Sequence, residues 1–265
     1  MELSKRLQAV ADLLDCHDRI ADIGCDHGFV SIYLIESKKA RRCLAMDVNK
    51  GPLERAKEHV MEKRLSTYIE TRLSNGAKAI QFVEKEDGRR ELEVDAALIA
   101  GMGGRLMIQI IRDSLDKFQS MKEFVLQPQS EIGKVRQFIR IIGCHIEKED
   151  MVLEDGKYYS MMKVTPERRE PDWSVNAPGH IRQKIESGEI TISDISFLGD
   201  EYGEHLLKEK HPVLLQFLEK EKNLYQEILA DLEQRNTGKS EVRRKEIEDK
   251  LKYINLGLEW FGYEM

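Results

Sequence analysis

The sequence predicts an α/β protein: a mostly parallel β-sheet covered by helices, followed by an antiparallel pair of long helices. Short runs of aliphatic and β-branched residues alternate with amphipathic stretches over residues 1–165, which is the pattern of consecutive βα units. Residues 201–265 carry apolar side chains at spacings of three and four within long charged stretches, as in a coiled coil. With 265 residues, the chain is long enough for one or two domains with a buried core.

Five parallel strands are predicted in the first part, with a helix after each of them. The strands cover residues 20–23, 43–48, 68–73, 96–100 and 124–126, and the helices cover 30–36, 52–63, 77–84, 105–118 and 132–142. Two further strands, 145–153 and 158–164, flank Asp155-Gly156, a favoured turn of tight β-hairpins. Five parallel strands and a terminal hairpin make the seven-stranded, Rossmann-like sheet of class I S-adenosylmethionine (SAM) methyltransferases. A dinucleotide dehydrogenase has six parallel strands instead.

The rest of the chain is predicted to form a linker and a helical arm. Residues 166–200 contain several prolines and glycines with little periodicity, so they are expected to be a linker or an ordered insertion. Residues 201–265 are expected to form an antiparallel coiled-coil hairpin that turns at Asn236-Thr237-Gly238. Its seam positions are Leu214, Leu218, Tyr225, Ile228, Leu232, Ile247, Leu251, Ile254, Leu258 and Phe261. The hairpin either only packs and stabilises the protein or helps to grip a large substrate.

Composition and charge exclude several classes of protein. No apolar stretch approaches the roughly 20 residues that a membrane span needs, and the first residues lack the basic and apolar blocks of a secretory signal. The four cysteines, at positions 16, 25, 43 and 144, include no Cys-x-x-Cys pair, which argues for reduced thiols in the cytoplasm and against a zinc module. Residues 1–165 hold 27 basic and 27 acidic side chains, so the net charge of −6 lies in the remainder. A nucleic-acid partner must therefore be recognised through local charge.

A glycine turn at the end of the first strand predicts a cofactor site. It contains Asp22, Gly24, Asp26, His27 and Gly28 in an acid-x-Gly-x-x-x-Gly spacing. Gly24 allows a sharp turn and the close approach of a ligand to bare backbone. The Gly-x-Gly-x-x-Gly of dinucleotide folds is absent. Acidic residues at this position favour a ligand with an ammonium and a sulfonium group, whereas they would repel a pyrophosphate.

The ends of the next two strands add further predicted cofactor contacts. Asp47, followed by Val48, lies about twenty residues past the glycine turn, where an acid accepts hydrogen bonds from the hydroxyls of an adenosine ribose. Asn75 and Gly76 follow the third strand, where a short polar side chain can hydrogen-bond the adenine amine of the cofactor. An ordinary Asn-Gly turn without a ligand is the alternative.

A glycine-rich loop after the fourth strand is expected to border the same site, because ligands of open α/β sheets bind at the carboxyl ends of the strands. Its residues are Ala100, Gly101, Met102 and Gly103. The Asn/Asp-Pro-Pro-aromatic sequence that many enzymes methylating exocyclic amines carry here is absent. After the fifth strand, Gln127 either hydrogen-bonds a nucleobase edge or is a buried turn residue.

Together these motifs resemble the bacterial TrmK family of SAM-dependent tRNA (adenine-22 N1)-methyltransferases. The matching segments are Leu3-Ser4-Lys5-Arg6-Leu7, Ala21-Asp22-Ile23-Gly24, Asp26-His27, Gly51-Pro52, Ile99-Ala100-Gly101-Met102-Gly103-Gly104, Leu126-Gln127-Pro128, Asp155-Gly156 and Tyr158-Tyr159. The resemblance covers roughly residues 3–165, and a coiled-coil tail is also typical of the family. The chain departs from the family at Cys25, Asn75 and Gln129, where Ser, Asp and Asn are usual.

The resemblance implies a cytoplasmic enzyme, predicted to be a monomer, that uses SAM to methylate N1 of an adenine in tRNA. Adenine N1 carries a free lone pair, so no proton has to be removed before it attacks a methyl group. Catalysis is then expected to rest on positioning and on electrostatic stabilisation of the positive charge that develops on the base. The predicted catalytic residues are Asp26 above all, with His27 and Gln127 orienting the adenine. Asp26 equally suits the methionine ammonium of SAM, and the sequence does not divide these two roles.

Because N1 lies on the Watson–Crick edge, the target adenine must be unpaired or pulled out of its stack. That requirement predicts a grip on the RNA backbone, for which Lys5, Arg6 and Arg105 are the best candidates since they flank motif loops. Two other functions stay open. A small-molecule SAM methyltransferase would share the cofactor motifs and need no basic rim, and a non-catalytic SAM-binding scaffold would use the coiled coil to join partners.

Overall fold

The structure, a computed structural model, describes residues 3–167, 177–235 and 238–263. The chain divides into two compact units, residues 1–170 and 171–265. The predicted turn at positions 236 and 237 and part of the predicted linker, 168–176, lie outside the described residues. Within the described ranges, no helix combines the length and the apolar character needed to cross a membrane.

The first unit is built on a seven-stranded sheet, as the sequence predicts. Its strands are β1 (His17–Ile23), β2 (Ala40–Asp47), β3 (Ile69–Leu73), β6 (Ala96–Met102), β7 (Glu123–Pro128), β8 (His145–Glu154) and β9 (Lys157–Thr165), and a separate two-stranded ribbon is formed by β4 (Phe82–Glu84) and β5 (Arg90–Leu92). The strand order is β3-β2-β1-β6-β7-β9-β8. The pairs from β3 to β7 are parallel, whereas β9 is antiparallel to both β7 and β8.

Helices accompany these strands in chain order. They are α1 (Lys5–Leu13), α2 (Phe29–Glu36), α3 (Lys50–Glu62), α4 (Gly104–Arg112), α5 (Leu115–Ser120) and α6 (Ile132–Ile141). Two separate clusters of buried apolar residues result, as expected for a sheet with helices on both faces. Strand β1 lies between β2 and β6: the chain adds β2 and β3 on one side of β1 and then returns to add β6 and β7 on the other. This reversal of strand order opens a crevice at the carboxyl ends of the strands, where ligands of α/β proteins bind.

The terminal hairpin is confirmed. Asp155 and Gly156 have φ angles of +50° and +73°. Two consecutive positive φ angles define the type I′ turn, whose twist matches that of the flanking strands. The hairpin therefore adds two antiparallel strands to the parallel sheet, and this addition distinguishes the fold from that of a dinucleotide dehydrogenase.

One predicted helix, 77–84, is wrong. Residues 77–79 form turns, and residues 82–84 form strand β4, which pairs with β5. The carbonyl groups that a helix would use are taken by side chains: Lys117 Nζ donates to the Ala77 and Lys78 carbonyls, and Arg72 donates to that of Ala79. The predicted helix 105–118 is also divided, because Ser114 has φ −140° and begins a second helix, α5.

The second unit consists of helices in its described parts. They are α7 (Gly179–Glu186), α8 (Ile192–Tyr202), α9 (Glu204–Lys208), α10 (Pro212–Arg235) and α11 (Gly238–Phe261). Helix α8 begins in a capping box, in which Thr191 and Asp194 exchange side-chain and backbone hydrogen bonds. Residues 179–200 of the predicted linker are thus an ordered and largely helical part of this unit.

The predicted antiparallel hairpin is formed by α10 and α11, each of 24 residues. Lys250 Nζ donates to Tyr225 Oη at 2.9 Å, and Tyr263 Oη donates to Glu219 at 2.7 Å, so residues late in one helix meet residues early in the other. Five of the predicted seam residues are fully buried, namely Leu214, Leu218, Ile247, Ile254 and Leu258.

Candidate active site

A cavity of about 430 Å³ opens at the carboxyl ends of the strands around β1. Its volume lies within the range of small-molecule and cofactor sites. Most of the residues predicted to bind a cofactor line it, namely Asp22, Gly24, Asp26, His27, Asp47, Val48, Asn75, Gly76, Ala100, Gly101 and Met102. Four loops that are far apart in the sequence therefore meet at one site, because each follows a strand of the same sheet.

Two predicted cofactor residues, Gly28 and Gly103, do not line the cavity. Each is the residue before a helix: Gly28 precedes α2 and Gly103 precedes α4. A Cβ atom at Gly28 would lie 3.0 Å from the Cβ of Ala56, so the glycine allows α2 to pack closely on α3. These glycines shape the loops around the cavity, and the structure gives them no direct place in its wall.

The wall of the cavity needs a glycine at position 24. Gly24 has φ +79°, in the left-handed region that side chains disfavour, and a Cβ atom there would come within 2.1 Å of the Met102 methyl carbon. The glycine turn after β1 and the glycine-rich loop after β6 are therefore in close contact through Met102. This contact fixes the separation of the two loops that the sequence predicts to hold a cofactor.

Asp22 is a buried carboxylate that faces the cavity. Its side chain accepts a hydrogen bond from Ser31 Oγ at 2.6 Å, and the residue is 2% exposed. Burial, with a smaller contribution from the neighbouring Asp47 carboxylate, raises the pKa of Asp22 to about 6 against the opposing effect of the Ser31 hydrogen bonds. No cationic side chain of residues 3–167 lies within ion-pair distance of it. A buried carboxylate without a cation favours a positively charged ligand, so the ammonium and sulfonium groups of SAM fit this wall.

Asp47 is held so that both carboxylate oxygens are fixed. Oδ1 accepts the backbone N–H of Asn49 at 2.8 Å, and Oδ2 accepts that of Asp26 at 3.3 Å. Asp26 itself has φ +48°, a left-handed conformation that turns its amide toward Asp47. Each oxygen keeps a further lone pair, so Asp47 can accept the two hydroxyls of a ribose, as its position in the sequence predicts.

The side chains of Asp26 and His27 lie at the mouth of the cavity. The Asp26 side chain is 69% exposed, and its Oδ1 is 3.6 Å from His27 Nε2. The His27 ring stacks on Phe29 with 5.5 Å between ring centroids, and the His27 carbonyl oxygen lies 3.0 Å from Nδ1 of His59. Stacking keeps the His27 ring in one orientation, beside a carboxylate that is open to an incoming substrate.

Several other residues of the cavity wall, mostly apolar, are not predicted from the sequence. They include Phe29, Leu106 and Ile110, together with Cys25 in the glycine turn. Leu106 is 49% exposed and the predicted residue Val48 is 58% exposed, which is unusual for aliphatic side chains beside a polar site. Flat apolar surface of this kind can pack against an adenine ring. The sequence carries a positional signal for Leu106, because this residue lies two residues after Gly104, the last glycine of the glycine-rich run.

Arg6 lies inside the cavity wall, although the sequence places it among RNA-binding residues. Its Nη1 donates to Gln127 Oε1 at 2.7 Å, and its guanidinium carbon is 5.2 Å from the centroid of the Tyr159 ring. The α1 helix therefore brings a positive charge to the site that the β-strand loops build. Lys5, its neighbour, is exposed, and its Nζ donates to the Leu153 carbonyl at 3.5 Å.

The other two predicted functional residues lie outside the cavity. Gln127 is 0% exposed, and its side-chain oxygen Oε1 accepts the backbone N–H of Gly101 and the Nη1–H of the Arg6 guanidinium. This placement does not fit the expected direct contact between Gln127 and a nucleobase. The Arg105 side chain is 86% exposed on α4, 3.7 Å from Glu131, and is accessible to a large partner. Among the residues that the structure describes, no cluster of three or more His, Cys, Asp or Glu side chains is arranged to hold a metal.

The chain is similar to tRNA methyltransferases over nearly its whole length. It is 28% identical to the tRNA (adenine(22)-N(1))-methyltransferase of Bacillus subtilis over 260 residues, which are 96% of each chain. The crystal structure of Bacillus subtilis TrmK matches with a TM-score of 0.74 at 28% identity, covering 97% of this chain and 98% of that one.

The chain is also similar to a protein whose structure contains a bound cofactor. The Streptococcus pneumoniae protein Sp1610, solved in complex with S-adenosyl-L-methionine, matches with a TM-score of 0.74 at 26% identity and covers 97% of this chain and 100% of that one. Residues 3–162 match the family described as "Methyltransferase domain", which is more than half of the chain. The resemblance to TrmK read from the motifs is thus confirmed, and the chain belongs to the methyltransferase-domain family.

Proposed function

We propose that this protein transfers a methyl group from SAM to N1 of an adenine in tRNA, at the position equivalent to adenine 22. The observation that carries the proposal is the similarity to the Bacillus subtilis tRNA (adenine(22)-N(1))-methyltransferase, which extends over 96% of both chains. Relatives that share only the catalytic domain would leave the substrate open. Here the match includes the second unit as well, so the whole architecture of that enzyme is present.

The cavity provides the cofactor site. When SAM is bound, Asp47 would accept the ribose hydroxyls, Val48 and Leu106 would pack against the adenine, and Asn75 would hydrogen-bond the adenine amine. Asp22 provides the negative potential that favours the positive charges of the methionine part. The glycines at 24 and 101 keep the backbone accessible. When bound, SAM supplies an electrophilic methyl group on its sulfonium.

Catalysis by the chain's own residues is electrostatic and geometric. Because adenine N1 presents a lone pair, the enzyme has no proton to remove, and His27 acts by orienting the base. The methylated base is positively charged, so the Asp26 carboxylate at the mouth of the cavity stabilises the charge as it develops. Fixing the adenine in line with the methyl group supplies the remaining acceleration.

The RNA is bound through local positive charge, since residues 1–165 carry no net charge. Lys5 and Arg6 lie in the first turn of α1 and Arg105 lies in the first turn of α4, where they contact the RNA backbone around the unpaired adenine. A small number of phosphate contacts makes the affinity modest and strongly dependent on salt.

Mapping of the methyl group on RNA tests this function. The purified protein is incubated with SAM and an unmodified tRNA transcript, and nuclease fragments are analysed by mass spectrometry. We expect one methyl group, on N1 of adenine 22, and none on a transcript in which guanine replaces that adenine.

The alternatives give different results in the same assay. A small-molecule methyltransferase would bind the cofactor without labelling any tRNA, and it would turn over only when a small acceptor is present. A scaffold would bind S-adenosylhomocysteine (SAH) and transfer nothing. Methylation of a different nucleotide would keep the enzyme class and change the assigned position.

A further inference from the structure

A β-bulge lies at the centre of the site. In the pairing of β6 with β7, Ala100 is opposite Gln127 and Met102 is opposite Pro128, so Gly101 has no partner on the other strand. Gly101 has φ +77°, as the extra residue of a bulge often does. Pro128 has no N–H, and the ladder cannot continue regularly at this point. The backbone of Gly101 must therefore find its hydrogen bonds elsewhere.

The Gln127 side chain supplies the missing hydrogen-bond partner, and its oxygen can accept one further hydrogen bond. Its Oε1 accepts the Gly101 N–H at 3.1 Å, and its Nε2 donates to the Pro128 carbonyl at 3.1 Å. An amide oxygen accepts two hydrogen bonds. The second comes from Arg6 Nη1, at 2.7 Å. Because Gln127 is fully buried and bonded on both sides, its oxygen is a fixed point against which Arg6 is oriented.

The Arg6 guanidinium, held at the Gln127 oxygen, carries a positive charge without a carboxylate partner. None of the ion pairs found in residues 3–167 includes its guanidinium, which lies over the Tyr159 ring and in the cavity wall. A guanidinium has five N–H groups in one plane, and fixing one of them on Gln127 sets the direction of the others. Asp22, on the opposite side of the cavity, is by contrast a buried carboxylate that favours a cation. The Arg6 side of the same cavity is therefore suited to an anion.

We propose that Gln127 is a positioning residue that holds the Arg6 guanidinium in the cavity as a binding site for an oxyanion of the reactants. This inference rests on the proposed function and adds a subsite to it. Two reactant groups have this chemistry: the carboxylate of the methionine part of the cofactor, and a phosphate of the nucleotide that enters the cavity. Arg6 binds such a group directly, and Gln127 acts only through Arg6.

A double-mutant cycle tests this arrangement. The wild type, Arg6→Ala, Gln127→Met and the double variant are compared for affinity for SAH by calorimetry, for affinity for tRNA by fluorescence anisotropy in saturating SAH, and for kcat and KM. Arg6→Ala and Gln127→Met should each weaken the same ligand by about tenfold or more, because a hydrogen bond to a charged group is lost or misdirected. The double variant should be no weaker than Arg6→Ala, since Gln127 has no effect once Arg6 is gone.

The affected ligand identifies the oxyanion. Weaker SAH binding assigns the carboxylate, whereas a higher KM for tRNA with unchanged SAH affinity assigns the phosphate. Multiplying effects in the double variant would show that Gln127 only supports the bulge, and unchanged affinities for both ligands would remove the subsite. Lys122→Met, which removes an exposed charge at the opposite edge of the sheet, is the control for general loss of charge.

Two safeguards keep the result interpretable. If Gln127→Met does not fold, Arg6→Lys replaces it: lysine keeps the charge without the planar fork, so wild-type affinity in Arg6→Lys would overturn the role of Gln127 in aiming the group. If the wild type transfers no methyl group to tRNA, the proposed function fails. The SAH arm of the cycle still decides whether Gln127 and Arg6 are coupled.

Discussion

Buried carboxylates at the two ends of the parallel strands differ in whether they have a cationic partner. The ends are called here the amino-terminal and the carboxyl-terminal edge of the sheet. At the amino-terminal edge, Glu123 on β7 lies 2.8 Å from Lys163 Nζ and 3.0 Å from His17 Nε2. Burial by itself would raise the pKa of Glu123, but these partners outweigh it and lower the pKa to about 2. At the carboxyl-terminal edge, Asp22 has a hydroxyl for a partner, and burial raises its pKa to about 6. Both carboxylates are almost completely buried.

The difference separates structural charge from functional charge. A buried carboxylate whose cation is part of the fold is satisfied and contributes to stability only as long as the pair is intact. A buried carboxylate without a cation costs stability, and a ligand that brings positive charge relieves this cost. On this reasoning the carboxyl-terminal edge is the functional one, independently of any motif.

The largest expected effect is on stability, at the amino-terminal edge. Lys163→Met leaves Glu123 buried next to His17 without its lysine, so the free energy of unfolding should fall by about 3 kcal/mol or more. Urea denaturation measures the loss, and SAH affinity of the folded variant should be unchanged. Lys122→Met is the matched control, because that exposed lysine pairs with Asp95 at the same edge and should cost less than about 1 kcal/mol. Equal losses in the two variants would remove the distinction between buried and exposed pairs.

The next effect is on cofactor binding, at the other edge. Asp47→Ala removes the acceptor of two ribose hydroxyls and of two backbone amides, so SAH affinity should fall by several hundredfold, on the order of two charged hydrogen bonds. Calorimetry measures it. Asp18→Ala, an exposed acid near the start of β1, is the control and should bind SAH normally. Normal binding by Asp47→Ala would place the cofactor elsewhere.

A comparable loss is expected in catalysis. Asp26→Asn keeps the size of the side chain and removes the charge that stabilises the methylated base, so kcat for tRNA should fall by about a hundredfold. SAH affinity should change less than about threefold. If SAH affinity falls and kcat holds at saturating SAM, Asp26 serves the ammonium group of the cofactor instead.

A smaller effect follows from pH. Because the pKa of Asp22 is about 6 in the folded protein, its carboxyl group is protonated at pH 5 and ionised at pH 7. The ammonium group of SAH prefers the ionised carboxylate, so SAH affinity should rise by about tenfold from pH 5 to pH 7. Asp22→Asn should remove this dependence. A rise that persists in Asp22→Asn would assign the titration to another group.

The same shift has the opposite sign for stability. The folded protein holds the Asp22 proton more tightly than the unfolded chain does, so the contribution of Asp22 to the free energy of unfolding decreases as the pH rises from about 4 to 6. Affinity for the cofactor and intrinsic stability thus change in opposite directions over this range.

The smallest effect is expected at the exposed rim. Arg105→Ala should raise KM for tRNA by about threefold at low salt and have less effect at high salt, since an exposed phosphate contact is screened. Steady-state kinetics at two salt concentrations measures it, with SAH affinity as the control. A fall in kcat at saturating tRNA would instead place Arg105 in contact with the reacting base.

The sequence predicts the fold and the cofactor loops well because both depend on local signals. Strand–helix alternation, the Asp155-Gly156 turn and the apolar spacing of α10 and α11 are all properties of neighbouring residues. The glycine turn with Asp22 and the acid at Asp47 can be located because a parallel sheet collects the residues that follow its strands.

What the sequence does not predict depends on distant contacts. The segment 77–84 has a helical pattern, yet Lys117 and Arg72 take its carbonyl groups from elsewhere in the chain. The place of Arg6 in the cavity depends on the packing of α1 near β7, and the burial of Gln127 depends on a bulge in the neighbouring strand. None of these contacts leaves a periodic signal in the sequence.

The four thiols of the molecule differ in their chemistry. Burial raises the pKa of Cys25, Cys43 and Cys144, so thiolate is scarce at neutral pH, including at Cys25 in the cavity wall. Cys16 alone of the four is exposed, and it lies just before β1, at the edge away from the cavity. A maleimide dye should therefore attach at a single position and leave the site open, so fluorescence can report RNA binding without a cysteine-free background.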